Sequence, residues 1–285
     1  MRPTESEAKG VRAMAEKAEG HRAKLEGDGG RPFIRVEGLE KAFGTQQILK
    51  GASLEIQRGQ NMVIIGASGE GKSVFLKHII GLLRADAGRV EVDGEDITTL
   101  PERQLNGVRK KVGILFQGGA LFDSMSVEEN VAFPLRESGV RDRELIARRV
   151  HECLEIVELA DHKKKMPIHL SGGMRKRVAL ARAIISEPEC VLYDEPTAGL
   201  DPVVSDVINH MIRRLQRQLA VTNVVVTHDM KSVYHIADRV AYLRQGKIYF
   251  EGTVEELRAS EDSVVQNFIE GRSGFSVAGG EGMLG

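Results

Sequence analysis

The sequence predicts an α/β fold: a mixed-sheet core with an antiparallel β subdomain and a helical subdomain. Three observations carry that prediction. An apolar run, Met62 to Ile65, leads into the glycine-rich GASGEGKS (66 to 73) and then the amphipathic Val74 to Leu83, which is the strand–turn–helix order of a phosphate-binding loop. Two further apolar runs, CVLY (190 to 193) and VVVT (224 to 227), end in Asp194-Glu195 and His228, and open α/β sheets carry ligand residues at the carboxyl ends of strands. Residues from about 120 to 180 are mainly helical in pattern, whereas those from Pro32 to Leu39 alternate apolar and polar as half-buried strands do.

With 285 residues, 41% of them hydrophobic, the chain suffices for one substantial domain with a subdomain, or two small ones. Its 40 basic and 41 acidic residues leave a formal charge of -1, so no overall field draws in nucleic acid or anionic lipid. The two cysteines, Cys153 and Cys190, sit in apolar contexts without a CxxC and read as reduced core residues of a cytosolic protein. No apolar run is long enough to cross a bilayer, and the opening MRPTESEAKG is charged where a signal peptide is apolar. A membrane role is expected to come through partners.

Taken in order, residues 1 to 30 are mostly Ala, Gly and charged residues, with too little apolar surface to offset ordering, and are expected to form a disordered leader. PFIRVEGLEKAFG (32 to 44) reads as a strand that turns at Phe43-Gly44, and ILKGASLEIQRG (48 to 59) as a second strand-rich segment. Phe43 is a candidate to stack on an adenine ring, although a turn aromatic is the blander reading of it alone. In the loop, Gly66, Gly69 and Gly71 allow consecutive N–H groups to face one anion. Lys72 is placed to reach terminal phosphates and Ser73 to ligate magnesium, and the following helix adds its free N-terminal donors. GRVEVDGEDI (88 to 97) reads as short strands about an Asp-Gly turn. VGILF (112 to 116) is another buried strand, and Gln117 at its end is a candidate to touch a metal or water.

Ser126 with Glu129 forms a capping box for a helix starting near Val127. A longer helix, about Asp142 to Leu159, sets Ile146, Val150, Cys153, Leu154 and Val157 on one face. The triple lysine of HKKKMPIH (162 to 169) reads as a solvated run rather than a phosphate or lipid-head-group patch. LSGGM (170 to 174) places Ser171, Gly172 and Gly173 before a basic helix, a second anion site at a helix terminus. Within that helix, Val178, Arg182 and Ile185 differ in polarity, so one basic side chain is expected at an internal contact. Asp194 is expected to orient magnesium, and Glu195 to align or deprotonate an attacking water. AGLDP (198 to 202) is a tight loop before a helix with Val207, Ile208, Met211, Ile212, Leu215 and Leu219 on its core side. His228 is either structural or in contact with phosphate. RVAYLRQGKIYFEG (239 to 252) is a hairpin turning at Gln-Gly, and 253 to 269 give two short helices with Val264, Val265, Phe268 and Ile269 as an apolar cluster. The last fifteen residues, six of them glycine, are expected to be flexible, apart from an anchor at Phe275 and Val277.

These residues together resemble the ATP-binding subunit of ABC transporters, over about residues 33 to 250. The resemblance implies a P-loop NTPase fold of the ABC ATPase type, with ATP and Mg2+ as cofactors. Gly66, Ser68, Gly69, Gly71, Lys72 and Ser73 correspond to the P-loop and Gln117 to the glutamine loop. Ser171, Gly172 and Gly173 correspond to the signature, Asp194 to the magnesium aspartate, and Glu195 to the catalytic glutamate. Gly199 to Asp201 match the D-loop, His228 the switch histidine, and Phe43 the adenine-stacking position. The implied assembly is a head-to-tail pair of copies with ATP held by the P-loop of one and Ser171 and Gly173 of the other. It implies an ATP-binding domain over 31 to 252, with the helical subdomain at about 118 to 180 as coupling surface, and a C-terminal extension over 253 to 285. A narrower resemblance, in ILFQGGALFDSMSVEENVAFPLRE (114 to 137) and MPIHLSGGMRKRVALARAI (166 to 184), is to the ATPases of Mla-type, MCE-associated lipid transporters. It implies an integral-membrane permease dimer, an MCE-domain protein, a STAS-domain protein, and a place at the cytoplasmic face of the inner membrane. An importer of a polar solute such as an amino acid shares every catalytic residue and is the second reading. A soluble ABC protein acting on nucleic acid or ribosomes is the third. The single P-loop, the lack of a coiled-coil insertion and the balanced charge argue against it.

Overall fold

The computed structural model describes residues 30–272. The leader up to residue 29, and the anchor at Phe275 and Val277, lie outside the described residues. Three strands, β3 (Asn61–Ile65), β7 (Cys190–Asp194) and β8 (Thr222–Thr227), are buried along their whole length. Apolar runs without alternation need cover on both faces, which is the environment of central parallel strands. Together with β6 (Val112–Leu115), β9 (Arg239–Arg244) and β10 (Lys247–Gly252) they form a six-stranded sheet of order β10-β9-β3-β8-β7-β6. All neighbours are parallel except β9 and β10, whose hairpin turns at Gln245-Gly246 with φ of 50° and 77°. Because β3, β6, β7 and β8 run the same way, the segments that follow them leave from one edge of the sheet.

A second sheet is antiparallel, with β1 (Ile34–Phe43), β2 (Gln46–Ile56), β4 (Ala87–Val92) and β5 (Glu95–Asp96) in the order β2-β1-β4-β5. Asp93 and Gly94, at φ 50° and 78°, make the turn between β4 and β5, a conformation that suits the twist of a hairpin. Two cores follow from the period-2 alternation of β3. Met62 and Ile64 face the antiparallel sheet and Phe75, Leu76 and Ile79, while Val63 and Ile65 face the helical side with Val131, Val150, Leu180 and Ile212.

The helices are α1 (Lys72–Ile79), α2 (Glu102–Lys111), α3 (Val127–Glu137), α4 (Arg143–Ile156), α5 (Gly172–Ile184), α6 (Pro202–Leu219), α7 (Met230–Ile236), α8 (Val254–Ala259) and α9 (Ser263–Ile269). The Ser126–Glu129 capping box is present at the start of α3. Several expectations need correction. α1 begins at Lys72 rather than Val74 and stops at Ile79, after which Gly81 takes φ +62°. α4 ends at Ile156 rather than Leu159, with Glu158 at φ 58°. Val207 is 38% exposed and does not join the core face, because burial on α6 begins only at Ile208. α2 and α7 have no counterpart in the sequence pattern. α2 buries only Leu105 and Val108, and α7 is seven residues long, so neither gives a full amphipathic period.

Candidate active site

The loop after β3 leaves the sheet against β9. A Cβ on Gly66 would lie 2.5 Å from the Leu243 carbonyl oxygen, so glycine alone fits. Gly71, at φ +98°, would place a Cβ 2.8 Å from Ile48 Cγ2. The chain turns here in a backbone region that other residues rarely adopt, and α1 starts with its first N–H groups free for an anion. Lys72 Nζ, on a side chain 7% exposed, donates to Gly66 O at 2.7 Å and Ala67 O at 3.1 Å and lies 3.7 Å from Glu195 Oε1. Ser68 and Gly69 are exposed along the loop.

β7 delivers two buried carboxylates to the same edge, each 7% exposed. Asp194 Oδ1 accepts from Ser73 Oγ at 2.7 Å. This pair of hard oxygens, one anionic, suits Mg2+, which takes one or two carboxylate or hydroxyl oxygens and completes its shell with water and phosphate. Glu195 sits at φ 48°, held there by its N–H donating to Val226 O at 3.0 Å. Its Oε1 lies 2.9 Å from Nδ1 of His228, whose ring follows β8 and is 58% exposed.

Buried carboxylates need cations to offset desolvation. Lys72 is one, and Lys176 on α5 is a second that the motifs did not single out. Lys176 is buried and donates through Nζ to the Gln117 carbonyl and, at 3.3 Å, to the Glu195 carbonyl. It thereby clamps the ends of β6 and β7 together. Burial lowers its pKa below the usual lysine value, against the raising pull of Asp194 and Glu195. Its spacing from Gly173, Leu180 and Ala183, all buried on α5, was the readable signal: a lysine on the core stripe. The Gln117 side chain itself is exposed. The internal basic contact expected on α5 is Arg182, which donates to Gly119 O and Ala120 O, both at 2.8 Å.

The remaining candidates form a second group. Ser171 caps α5, its Oγ accepting from Met174 N at 3.2 Å. Asp201 caps α6, accepting from Val203 N and Val204 N at 3.0 Å each. A Cβ on Gly173 would lie 2.4 Å from Val204 Cγ1, and one on Gly172 3.3 Å from Leu200 Cδ2, so the glycines let α5 start directly on α6. Among the described residues, no hydrogen bond or ion pair links Ser171, Gly172, Gly173 or Asp201 to the loop at 66 to 73. Phe43, at the end of β1, is 48% exposed with Lys41 Nζ 5.7 Å from its ring centre.

Residues 49–198 match the family described as ABC transporter. The chain is 41% identical to the probable ribonucleotide transport ATP-binding protein mkl of Mycobacterium leprae, over 88% of this chain and 73% of that protein. It is 42% identical to the intermembrane phospholipid transport system ATP-binding protein MlaF of Haemophilus influenzae, over 85% of this chain and 91% of that protein. Among solved structures, it resembles the dimeric post-hydrolysis state of an ATP-binding cassette bound to ADP and Pi, with TM-score 0.72 and 32% identity, covering 78% of this chain and 98% of that one.

Proposed function

The chain belongs to the ABC transporter family, as an ATP-hydrolysing subunit that uses Mg2+ and couples hydrolysis to membrane transport, and from that premise we propose that its cargo is phospholipid moved between inner and outer membranes. The partners in this reading are a permease dimer, an MCE-domain protein and a STAS-domain protein, with the ATPase peripheral at the cytoplasmic face. Among the described residues no helix is long and apolar enough to cross a membrane.

The observation that carries the lipid reading is the GGALFDS segment (118 to 124). Arg182 holds the Gly119 and Ala120 carbonyls, Asn130 exchanges hydrogen bonds of 2.8 and 3.0 Å with the backbone of Phe122, and the Phe122 ring packs 4.7 Å from Phe133. The segment so fixed borders a groove of about 840 Å³ lined by Phe116, Phe122 and Phe133 together with Arg109, Lys110, Glu137 and Arg182. Aromatic rings set among charged side chains suit a cytoplasmic segment of a permease.

In the mechanism, two copies face each other head to tail. Lys72 and the free N–H groups of the 66-to-73 loop hold the phosphates of ATP, and Ser171 and Gly173 of the second copy close over them. Ile168 and Val203, 83% and 74% exposed beside the signature and the D-loop, give the second copy apolar surface to cover. Ser73 and Asp194 would hold Mg2+, which would supply positive charge to offset that on the phosphates. Glu195 orients the attacking water, and His228 fixes the carboxylate that does so. Gently extracting the complex through a tag on this subunit, followed by mass spectrometry of proteins and lipid, tests the cargo. Permease, MCE-domain protein and phospholipid together are expected. A permease with a soluble binding protein for a polar solute would instead establish the importer reading.

A further inference from the structure

Two helices that follow the proposed D-loop and switch histidine carry a cluster that ATP hydrolysis does not use. Asp206 and His210 stand one turn apart on α6, and His235 reaches them from α7. His235 Nε2 lies 3.3 Å from His210 Nδ1, Asp206 Oδ2 lies 3.4 Å from His210 Nε2, and Asp206 Oδ1 lies 3.8 Å from His235 Nδ1. One ligand atom from each residue can be chosen so that all three lie within 4.8 Å of one another.

We propose that Asp206, His210 and His235 form a binding site for a borderline transition-metal dication of the Zn2+ class. Two imidazole nitrogens on a tetrahedral ion, with bonds of about 2.0–2.1 Å, sit about 3.3–3.4 Å apart, which is the spacing of the two histidines here. A set of two imidazoles and one carboxylate favours Zn2+, Co2+ or Ni2+ over Mg2+ or Ca2+, which prefer oxygen shells. Asp206 and His210 side chains are 59% and 65% exposed, so there is room for them to turn toward a shared ion, and the fourth position would be open to solvent. The i, i+4 pair comes from one helix and the third ligand from the next, so the ion joins α6 to α7. Directly beneath, Asn209 Nδ2 donates to Ser232 Oγ at 3.0 Å and Ser232 Oγ to Asp229 Oδ2 at 2.6 Å. The metal therefore staples the outer end of a contact whose inner end holds the residue after His228.

The test is titration of the purified full chain with Zn2+ by calorimetry and with Co2+ by visible absorption, in excess Mg2+ and without nucleotide. The expected result is one saturable ion per chain, a tetrahedral Co2+ spectrum, and a rise in Tm on adding Zn2+. His210→Ala and His235→Ala should each weaken binding at least tenfold, with Tm measured in chelator on the same variants to separate lost binding from unfolding. Asp206→Asn should weaken binding while leaving the histidine pair. No saturable binding, or binding as strong as the parental chain's in both histidine variants, would overturn the site.

Discussion

At the residue scale, the account turns on which side chain does what around two buried carboxylates. Glu195→Gln keeps the shape and the contact with His228 but removes the base. ATP binding should persist while turnover falls by at least about 10²-fold, measured by nucleotide binding and phosphate release on the same preparation. Lys176→Met keeps the buried stem and removes the donors to Gln117 O and Glu195 O. Each charge-assisted hydrogen bond lost is worth roughly tenfold or more, so with both removed kcat should drop by at least about tenfold with KM for ATP little changed, and Lys176→Arg should recover part of it. A loss confined to stability, with kcat intact, would make Lys176 structural only. The gathering of Lys72, Ser73, Asp194, Glu195 and His228 at one sheet edge was legible because a fixed local pattern and strand ends mark them, whereas the structure engages Gln117 only through its backbone carbonyl. Lys176 was not, since its role arises from where α5 crosses two strand ends 59 and 19 residues away in sequence.

At the scale of elements, α1 carries a titration coupled to folding. His78 is buried, with Nδ1 2.8 Å from Val74 O, and burial lowers its pKa from the ordinary 6.5, against the raising pull of the Val74 and Arg84 carbonyls. Below about pH 6.5 the unfolded chain takes up a proton there, whereas the folded chain stays neutral until its lower pKa is reached. The unfolded state then binds more protons, so stability falls as pH drops through 6.5. Urea midpoints from pH 7.5 to 5.5 should show that fall, and His78→Gln should flatten it relative to the parent. The strands of both sheets were readable from their alternation or continuous burial. α2 and α7 escaped because so few of their residues face a core, and Val207 was misplaced because a helical stripe in sequence says nothing about where the packed neighbour ends.

At the scale of the molecule, Ser171 and Asp201 spend their side chains on their own helix caps, apart from the loop proposed to hold phosphate. A complete site therefore requires a second copy, and this is the central claim. Two variants separate the half-sites: Lys72→Ala breaks the loop, and Ser171→Arg blocks the signature. Each alone should be nearly inactive. In a mixed dimer, the intact loop of the Ser171→Arg copy meets the intact signature of the Lys72→Ala copy. An equal mixture should then recover up to about a quarter of parental turnover, since half the dimers are mixed and each carries one whole site. A mixture no more active than the sum of its parts, where the parental chain is active, would contradict a site shared between two copies.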